Sequence, residues 1–302
     1  MKKFIYKFVI FFIPILILHL FVYIYYSPDK GDIFRVGYVI NLFPDYRDAF
    51  LKDDKKELKV ISIRNVDSNR EYDLLTIGDS FSDQGTMGYQ NFLALNNGIK
   101  IVHLDRHLQT NQFQALIGLL NSGFFENYKF KSVLLQFIEA GSIGVVRNLD
   151  WDFTFPEVES LDSLKSDFDQ FTTKFKFPSD RVVKFPYYNL KRVLFPELDC
   201  NKVYSLPLKE NVFSVRDPTL YFHSSNPKFI NNSSEQEIVE LNIFLNLLAE
   251  KLRERGVELI VMPVPDKLDF YFDKLEYSGQ FEKTKFFEII KPLKKNTFTW
   301  IR

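Results

Sequence analysis

The sequence predicts an α/β domain with a mainly parallel sheet, preceded by one membrane-spanning helix. Three observations predict this: short apolar runs alternating with helix-patterned segments from residue 72 onward, an uncharged run near the N-terminus, and a proline-dense stretch that interrupts the alternation between residues 146 and 232. Strands that alternate with helices must be joined by crossovers, which makes them parallel, and both faces of a parallel sheet are covered by helices.

The N-terminal run comes first. Lys2, Lys3 and Lys7 precede an uncharged segment from Phe8 to Pro28, about 30 Å long as a helix and thus as thick as the hydrocarbon core of a bilayer. By the positive-inside bias the lysines stay cytoplasmic, Tyr23, Tyr25 and Tyr26 form an outer aromatic belt, and the rest of the chain faces outward. A cleaved signal peptide is the competing reading, but it requires small residues after the apolar segment. The sequence there is Tyr-Ile-Tyr-Tyr-Ser-Pro-Asp-Lys, and the first alanine of the chain is Ala49. Pro14 and His19 read as a tolerated kink and a packing or interfacial residue. Residues 1–28 are therefore the cytoplasmic tip and anchor, residues 29–56 a charge-rich stalk, and residues 57–302 the α/β domain.

Within that domain Tyr72–Ile77 is an apolar run stopped by Gly78, the pattern of a buried strand ending in a turn. Met87–Leu95 suits a helix, Ile99–Leu104 a strand, Asn111–Leu120 a helix and Ser132–Ile138 a strand, giving the order β-α-β-α-β. Residues 146–232 hold Pro156, Pro178, Pro186, Pro196, Pro207, Pro218 and Pro227 among aromatics and charges, and read as an insertion, with one amphipathic helix over Ser160–Phe175 and the rest irregular or in short strands. The alternation resumes at Ser234, which opens an S-x-x-E capping box with Glu237 ahead of Ile238, Leu241, Leu245, Leu248 and Leu252, and stops at Gly256. Val257–Met262 reads as a strand, Lys283–Leu293 as a helix and Thr297–Ile301 as a strand.

Composition excludes several functions. The chain has 302 residues with 39 basic and 39 acidic side chains, and a nucleic-acid binder normally carries a basic excess. The one cysteine, Cys200, excludes a disulfide framework and a cysteine zinc site, and four histidines leave little for a histidine-rich metal centre. No H-E-x-x-H, P-loop or G-x-G-x-x-G pattern is present.

The segment that carries chemistry is Ile77-Gly78-Asp79-Ser80-Phe81-Ser82. A serine on a glycine-opened turn directly after a buried strand has its hydroxyl at the carboxyl edge of the sheet, where open α/β folds bind ligands. Its backbone N–H lies near a helix start and can stabilise the oxyanion of acyl transfer. Gly, Asp and Ser are also common turn and cap residues, so the position of the tripeptide, rather than its composition, makes Ser80 a candidate nucleophile.

Through Gly78-Asp79-Ser80-Phe81 on the first strand of the domain, the sequence resembles the SGNH/GDSL hydrolase superfamily. Within it the chain looks most like the membrane-associated, extracytoplasmic branch that includes alginate O-acetyltransferases. The single anchor and Pro263-Val264-Pro265-Asp266-Lys267 with Tyr271, similar to the P-x-P-x-K…Y segment of those proteins, point the same way. The resemblance implies a three-layer α/β/α sandwich and acyl-ester chemistry on a cell-surface glycan. Ser80 would be the nucleophile, the segment Gly78, Asp79 and Ser80 would form the oxyanion side of the site with Asp79 shaping the turn, and no cofactor or metal is implied. Transfer, as opposed to hydrolysis, would draw an acyl donor from a multipass membrane acyltransferase partner.

The chain departs from the family in its base. Serine is a weak nucleophile until a histidine, oriented by an aspartate, removes its proton, yet no histidine follows His223. Three readings follow: a truncated product, a naturally inactive relative serving in glycan binding or complex assembly, or an internal histidine that substitutes. His223, in Asp217-Pro218-Thr219-Leu220-Tyr221-Phe222-His223, is the first internal candidate. His103 and His107, which bracket Asp105 after the second strand, are the next. For the second oxyanion donor, Asn121 and Gly123 lie in a plausible loop, while Gln136 and Glu139 match no G-x-N-D pattern. Glu139 and Arg147 read either as the lining of a carboxyl-edge pocket or as a solvated surface pair. Asp266 and Lys267 could orient a substrate or dock a loop, and Asp152, Glu157, Glu159 and Asp162 read as a solvated face.

Overall fold

In a computed structural model of the chain, the residues described are 2–25, 57–109, 111–163, 181–195, 203–212, 218–223, 234–279, 281–290 and 299–300. The stalk, most of the expected 160–175 helix and the last two residues lie outside these. The chain divides into two compact units. One comprises Phe50–Thr172, Phe229–Asp266 and Thr284–Arg302, and the other Met1–Ala49, Thr173–Lys228 and Lys267–Lys283.

The first unit is the α/β unit. Its strands are β1 (Ile61–Ser62), β2 (Glu71–Ile77), β3 (Ile101–Leu104), β4 (Lys129–Ile138), β7 (Glu258–Val264) and β8 (Thr299–Trp300), and its helices include α2 (Tyr89–Asn97), α3 (Gln112–Asn121), α7 (Glu235–Arg253) and α9 (Phe286–Ile290). The strands form one sheet in the order β1-β3-β2-β4-β7-β8, and every pair in it is parallel. The expected α/β class and mainly parallel sheet are present.

Alternation along the strands explains how both faces are covered. Tyr72, Leu75 and Ile77 of β2 join Val133, Leu135 and Phe137 of β4 in a core with Phe113 and Leu116 of α3, Leu241, Leu245 and Leu248 of α7, and Phe286 and Ile290 of α9. Leu74 and Leu134 point to the other face, where they meet Ile101 and Ala94 of α2. The capping box read in the sequence is formed: the Ser234 hydroxyl accepts from the Glu237 N–H while the Glu237 carboxylate accepts from the Ser234 N–H, starting a 19-residue helix. Residues 146–163, read as the start of the insertion, pack into this same core through the buried Phe155, Val158 and Leu161. Val158–Ser163 is a 3-10 segment, so the expected amphipathic α-helix does not start at Ser160.

The order of the strands decides where a ligand would bind. From β2 the chain turns to β3 on one side, and from β4 it turns to β7 on the other. The connections leave β2 and β4 in opposite directions, which makes the carboxyl ends of these two neighbours the topological switch point.

In the second unit, α1 (Lys2–Tyr25) is a 24-residue helix whose Lys2–Phe21 portion has a mean hydropathy of 2.3, long and apolar enough to cross a membrane, a property that signal sequences share. The insertion contains a helix that the sequence reading missed, α6 (Arg181–Leu194), because Pro186 argued against one. It also contains an antiparallel hairpin, β5 (Val203–Pro207) and β6 (Thr219–His223). Leu206, Leu208, Leu220 and Phe222 of this hairpin region share a small core with Leu268, Leu275 and Phe281.

Candidate functional site

The turn after β2 is built around Gly78. A Cβ placed there would lie 2.0 Å from Ser82 Oγ and 2.5 Å from Gln136 Oε1, so no other residue fits without moving them. That absence of a side chain lets the Ser82 hydroxyl donate to Gln136 Oε1 at 2.7 Å and lets the Asp79 N–H reach the same oxygen at 3.2 Å. Gln136, fully buried near the end of β4, thus fixes the turn of β2 across the switch point. Tyr89 closes the back: its phenol lies 3.2 Å from Ser82 Oγ, and burial pushes its titration upward.

Asp79 ties the same two strand ends from the other side. One carboxylate oxygen accepts the Phe81 N–H and the other the Ile138 N–H, both at 2.9 Å. Burial nonetheless raises its carboxyl above the ordinary value, against the pull of those hydrogen bonds. These bonds tie the turn after β2 to the end of β4. The Gly78 carbonyl is held by Gln109 Nε2 at 2.9 Å and the Ser80 carbonyl by Gln84 Nε2 at 2.8 Å.

Ser80 sits on this braced turn, half-buried. Neither its Oγ nor its N–H is hydrogen-bonded to any described residue. The turn is braced by hydrogen bonds while, among the described residues, the atoms a nucleophile would use are unengaged.

The end of β3 brings charge to this carboxyl edge. His107 Nε2 and Arg106 Nε each lie 3.5 Å from Asp83 Oδ2, and Asp83 is the third residue after Ser80. Asp105 caps the 3-10 turn Arg106–Leu108 by accepting the His107 N–H at 2.8 Å. One ligand atom from each of Asp83, Asp105 and His107 lies within 4.8 Å of the others. Two carboxylates and an imidazole are donors a divalent cation accepts, but the Arg106 guanidinium already supplies positive charge at Asp83.

His103 lies on β3 itself. Its Nδ1 is 2.9 Å from Thr76 Oγ1 and 3.2 Å from the Thr76 carbonyl. Since the Thr76 hydroxyl donates to the Val102 carbonyl, Nδ1 must carry the ring proton, leaving a lone pair on Nε2. That Nε2 is buried without a partner among the described residues, and burial lowers the pKa of the ring. His103 is therefore a neutral imidazole at neutral pH.

The remaining sequence candidates fall as follows. His223 is the last residue of β6, opposite Val203 in the hairpin of the second unit. Asn121 and Gly123 precede β4 and therefore lie at the amino edge of the sheet. Asn121 holds the Trp151 and Phe153 carbonyls there and Gly123 has φ 72°, so neither serves as a donor at the carboxyl edge. Glu139 and Arg147 are not a pair. Glu139 is fully buried, accepting the Asp266 N–H at 3.2 Å and the Thr284 hydroxyl, whereas Arg147 bonds Glu240 and Glu237 of α7. Asp266 is buried beside Glu139, and Tyr271 packs on the small core of the second unit. Asp152 and Glu157 are exposed, as expected of a solvated face.

Sequence reasoning named Ser82 and Gln136 without foreseeing the bond between them, and it assigned nothing to Asp83 or Gln109. The available signal was polar residues at the ends of apolar strands, in a fold where such positions meet. In comparisons with known proteins, no family model, no curated protein and no solved structure matches the chain.

Proposed function

We propose that the chain is a membrane-anchored acyl-ester hydrolase or O-acyltransferase of the SGNH kind. Its sheet would be the centre of a three-layer α/β/α sandwich, and it would act from outside the cytoplasmic membrane on an acyl group, acetyl above all, of a cell-surface glycan. One observation supports this reading: among the described residues, Ser80 has an unengaged hydroxyl and an unengaged N–H on a hydrogen-bonded turn at the switch point of a parallel sheet.

In the reaction, Ser80 Oγ attacks the acyl carbonyl and its proton passes to an imidazole, while the Ser80 N–H donates to the oxyanion. Collapse expels the alcohol, which takes the proton from the imidazolium. Water or a sugar hydroxyl then attacks the acyl-serine, again losing its proton to the imidazole, and frees Ser80. For transfer, a multipass membrane acyltransferase would supply the donor. His103, with its free lone pair, and His107, beside Asp83, belong to the same unit as Ser80 and are the leading bases, ahead of His223.

The competing reading is a non-catalytic relative that binds glycan or assembles a complex. It is favoured by one fact: Ser80 Oγ bonds no described imidazole. Both are tested by assaying the full chain in detergent micelles with p-nitrophenyl acetate. Catalysis predicts release that Ser80→Ala abolishes, and that a Gln substitution at the true base among His103, His107 and His223 lowers by about 10²–10⁴-fold. Release equal to background from folded protein establishes the non-catalytic reading.

A further inference from the structure

The bonds along the carboxyl edge do not stop at Asp79. The ladder between β4 and β7 runs to Ile138 and Val264. After Val264 comes Pro265, which has no N–H to offer. The next donor, the Asp266 N–H, is taken up by a side chain, Glu139 Oε2 at 3.2 Å. The other oxygen, Oε1, accepts the Thr284 hydroxyl, just ahead of α9. The Glu139 carbonyl accepts the Ser142 hydroxyl at 2.8 Å, so residue 139 is held by its backbone and its side chain. Glu139 and Ser142 are fully buried, and all four residues belong to the α/β unit.

Two carboxylates thus join three neighbouring strand ends. Asp79 links the turn after β2 to Ile138, the last residue of β4. The very next residue, Glu139, links β4 to the end of β7 and to Thr284. Release of Glu139 frees Ile138 to leave Asp79. A carboxylate that has lost one of its two donors turns towards water to recover it. The Phe81 N–H is then lost as well, and with it the shape of the turn that carries Ser80.

We propose that Glu139 is a positioning residue for the site at Ser80. By pinning the end of β4 to Asp266 and Thr284, it keeps the Asp79 bridge closed and so holds the nucleophile turn in place. It acts through Ile138 and Asp79 and is not one of the reacting groups. The effect on the turn does not depend on any chemistry at Ser80, whereas the effect on rate rests on the acyl reaction proposed above. Displacing a reacting group by about 1 Å can cost on the order of 10²-fold in rate.

The test compares Glu139→Ala and Glu139→Gln in the full chain in detergent micelles. Alanine removes both tethers. Glutamine keeps them, since its Oε1 accepts the Asp266 N–H and its Nε2 donates to the Thr284 hydroxyl oxygen. Ser234→Ala, which weakens the same unit at the start of α7 without touching these bonds, is the control for a general loss of stability. Amide-resolved hydrogen exchange is read at Phe81 and Ile138. The expected result is exchange about tenfold faster in the alanine variant, and close to wild type in the glutamine variant and in the control. An equal rise in the control, or no rise with alanine, overturns the proposal. A glutamine variant that behaves as alanine also overturns it, and assigns the contribution of Glu139 to its charge. If the alanine variant does not fold, Thr284→Val, which removes one donor and leaves the carboxylate, is read in the same way. With p-nitrophenyl acetate, Glu139→Ala should lower kcat by about 10²-fold at unchanged KM, and an unchanged kcat overturns the proposal. If the wild-type chain shows no Ser80-dependent release, the acyl reading fails, while exchange at Phe81 and Ile138 still decides the role of Glu139.

Discussion

At Gly78 the space where a side chain would begin is already filled by Ser82 Oγ and Gln136 Oε1. Gly78→Ala should therefore destabilise the α/β unit by ~1–3 kcal/mol, the usual cost of overpacking, measured as a fall in the denaturant midpoint. Adding Ser82→Ala should restore only part, because Gln136 Oε1 still blocks the Cβ. Full stability of the single variant would show that the turn is looser than described. At His103 the prediction concerns pH. Burial lowers the ring's pKa in the fold below the ordinary 6.5, so the unfolded chain takes up a proton at pH values where the folded chain does not. The associated stability is fully present above 6.5 and is lost as pH falls from there towards the lowered value. The melting temperature should fall between pH 7.5 and 5.5, and His103→Gln should reduce that slope. An unchanged slope would mean that His103 titrates normally. Of these residues, Ser80 was legible in sequence because a strand followed by Gly-Asp-Ser is a local pattern. Gln136 was not, because its role depends on bonds to Asp79 and Ser82 at separations of 57 and 54 residues.

The elements read from periodicity are those whose signals are local. The 19-residue α7 carries its start signal in four residues, and Ser234 and Glu237 make both reciprocal bonds. Ser234→Ala should cost ~1 kcal/mol, measured by chemical denaturation, whereas Ser234→Asp should keep most of the stability because aspartate also caps. Equal losses in both would show that the cap contributes through packing instead. Helix α6 was illegible for the complementary reason. Pro186 and the surrounding prolines mask a period that is clear once its bounds are known, and its Leu190, Val193 and Leu194 are exposed rather than in a core. Short strands were expected in the insertion, but the positions and pairing of β5 and β6 were not legible, since their small core draws on Leu268, Leu275 and Phe281 from a segment far along the chain.

For the whole molecule, the sequence by itself determined the α/β class, the parallel sheet and an N-terminal helix long enough to span a bilayer, because each follows from hydrophobic period and run length, which are local quantities. It also located the turn at Gly78. The tertiary structure alone decided the strand order β1-β3-β2-β4-β7-β8 and hence that the switch point lies between β2 and β4, beside Ser80. It alone gave Glu139 to Asp266 and Thr284, and Arg147 to α7. It also set His107 beside Asp83, and divided the insertion, so that residues up to Leu161 belong to the core of the α/β unit while α6 and the hairpin belong to the second. The physical reason is the same throughout: pairing between distant strands and the partners of buried polar groups are set by which elements become neighbours, and no local period encodes that.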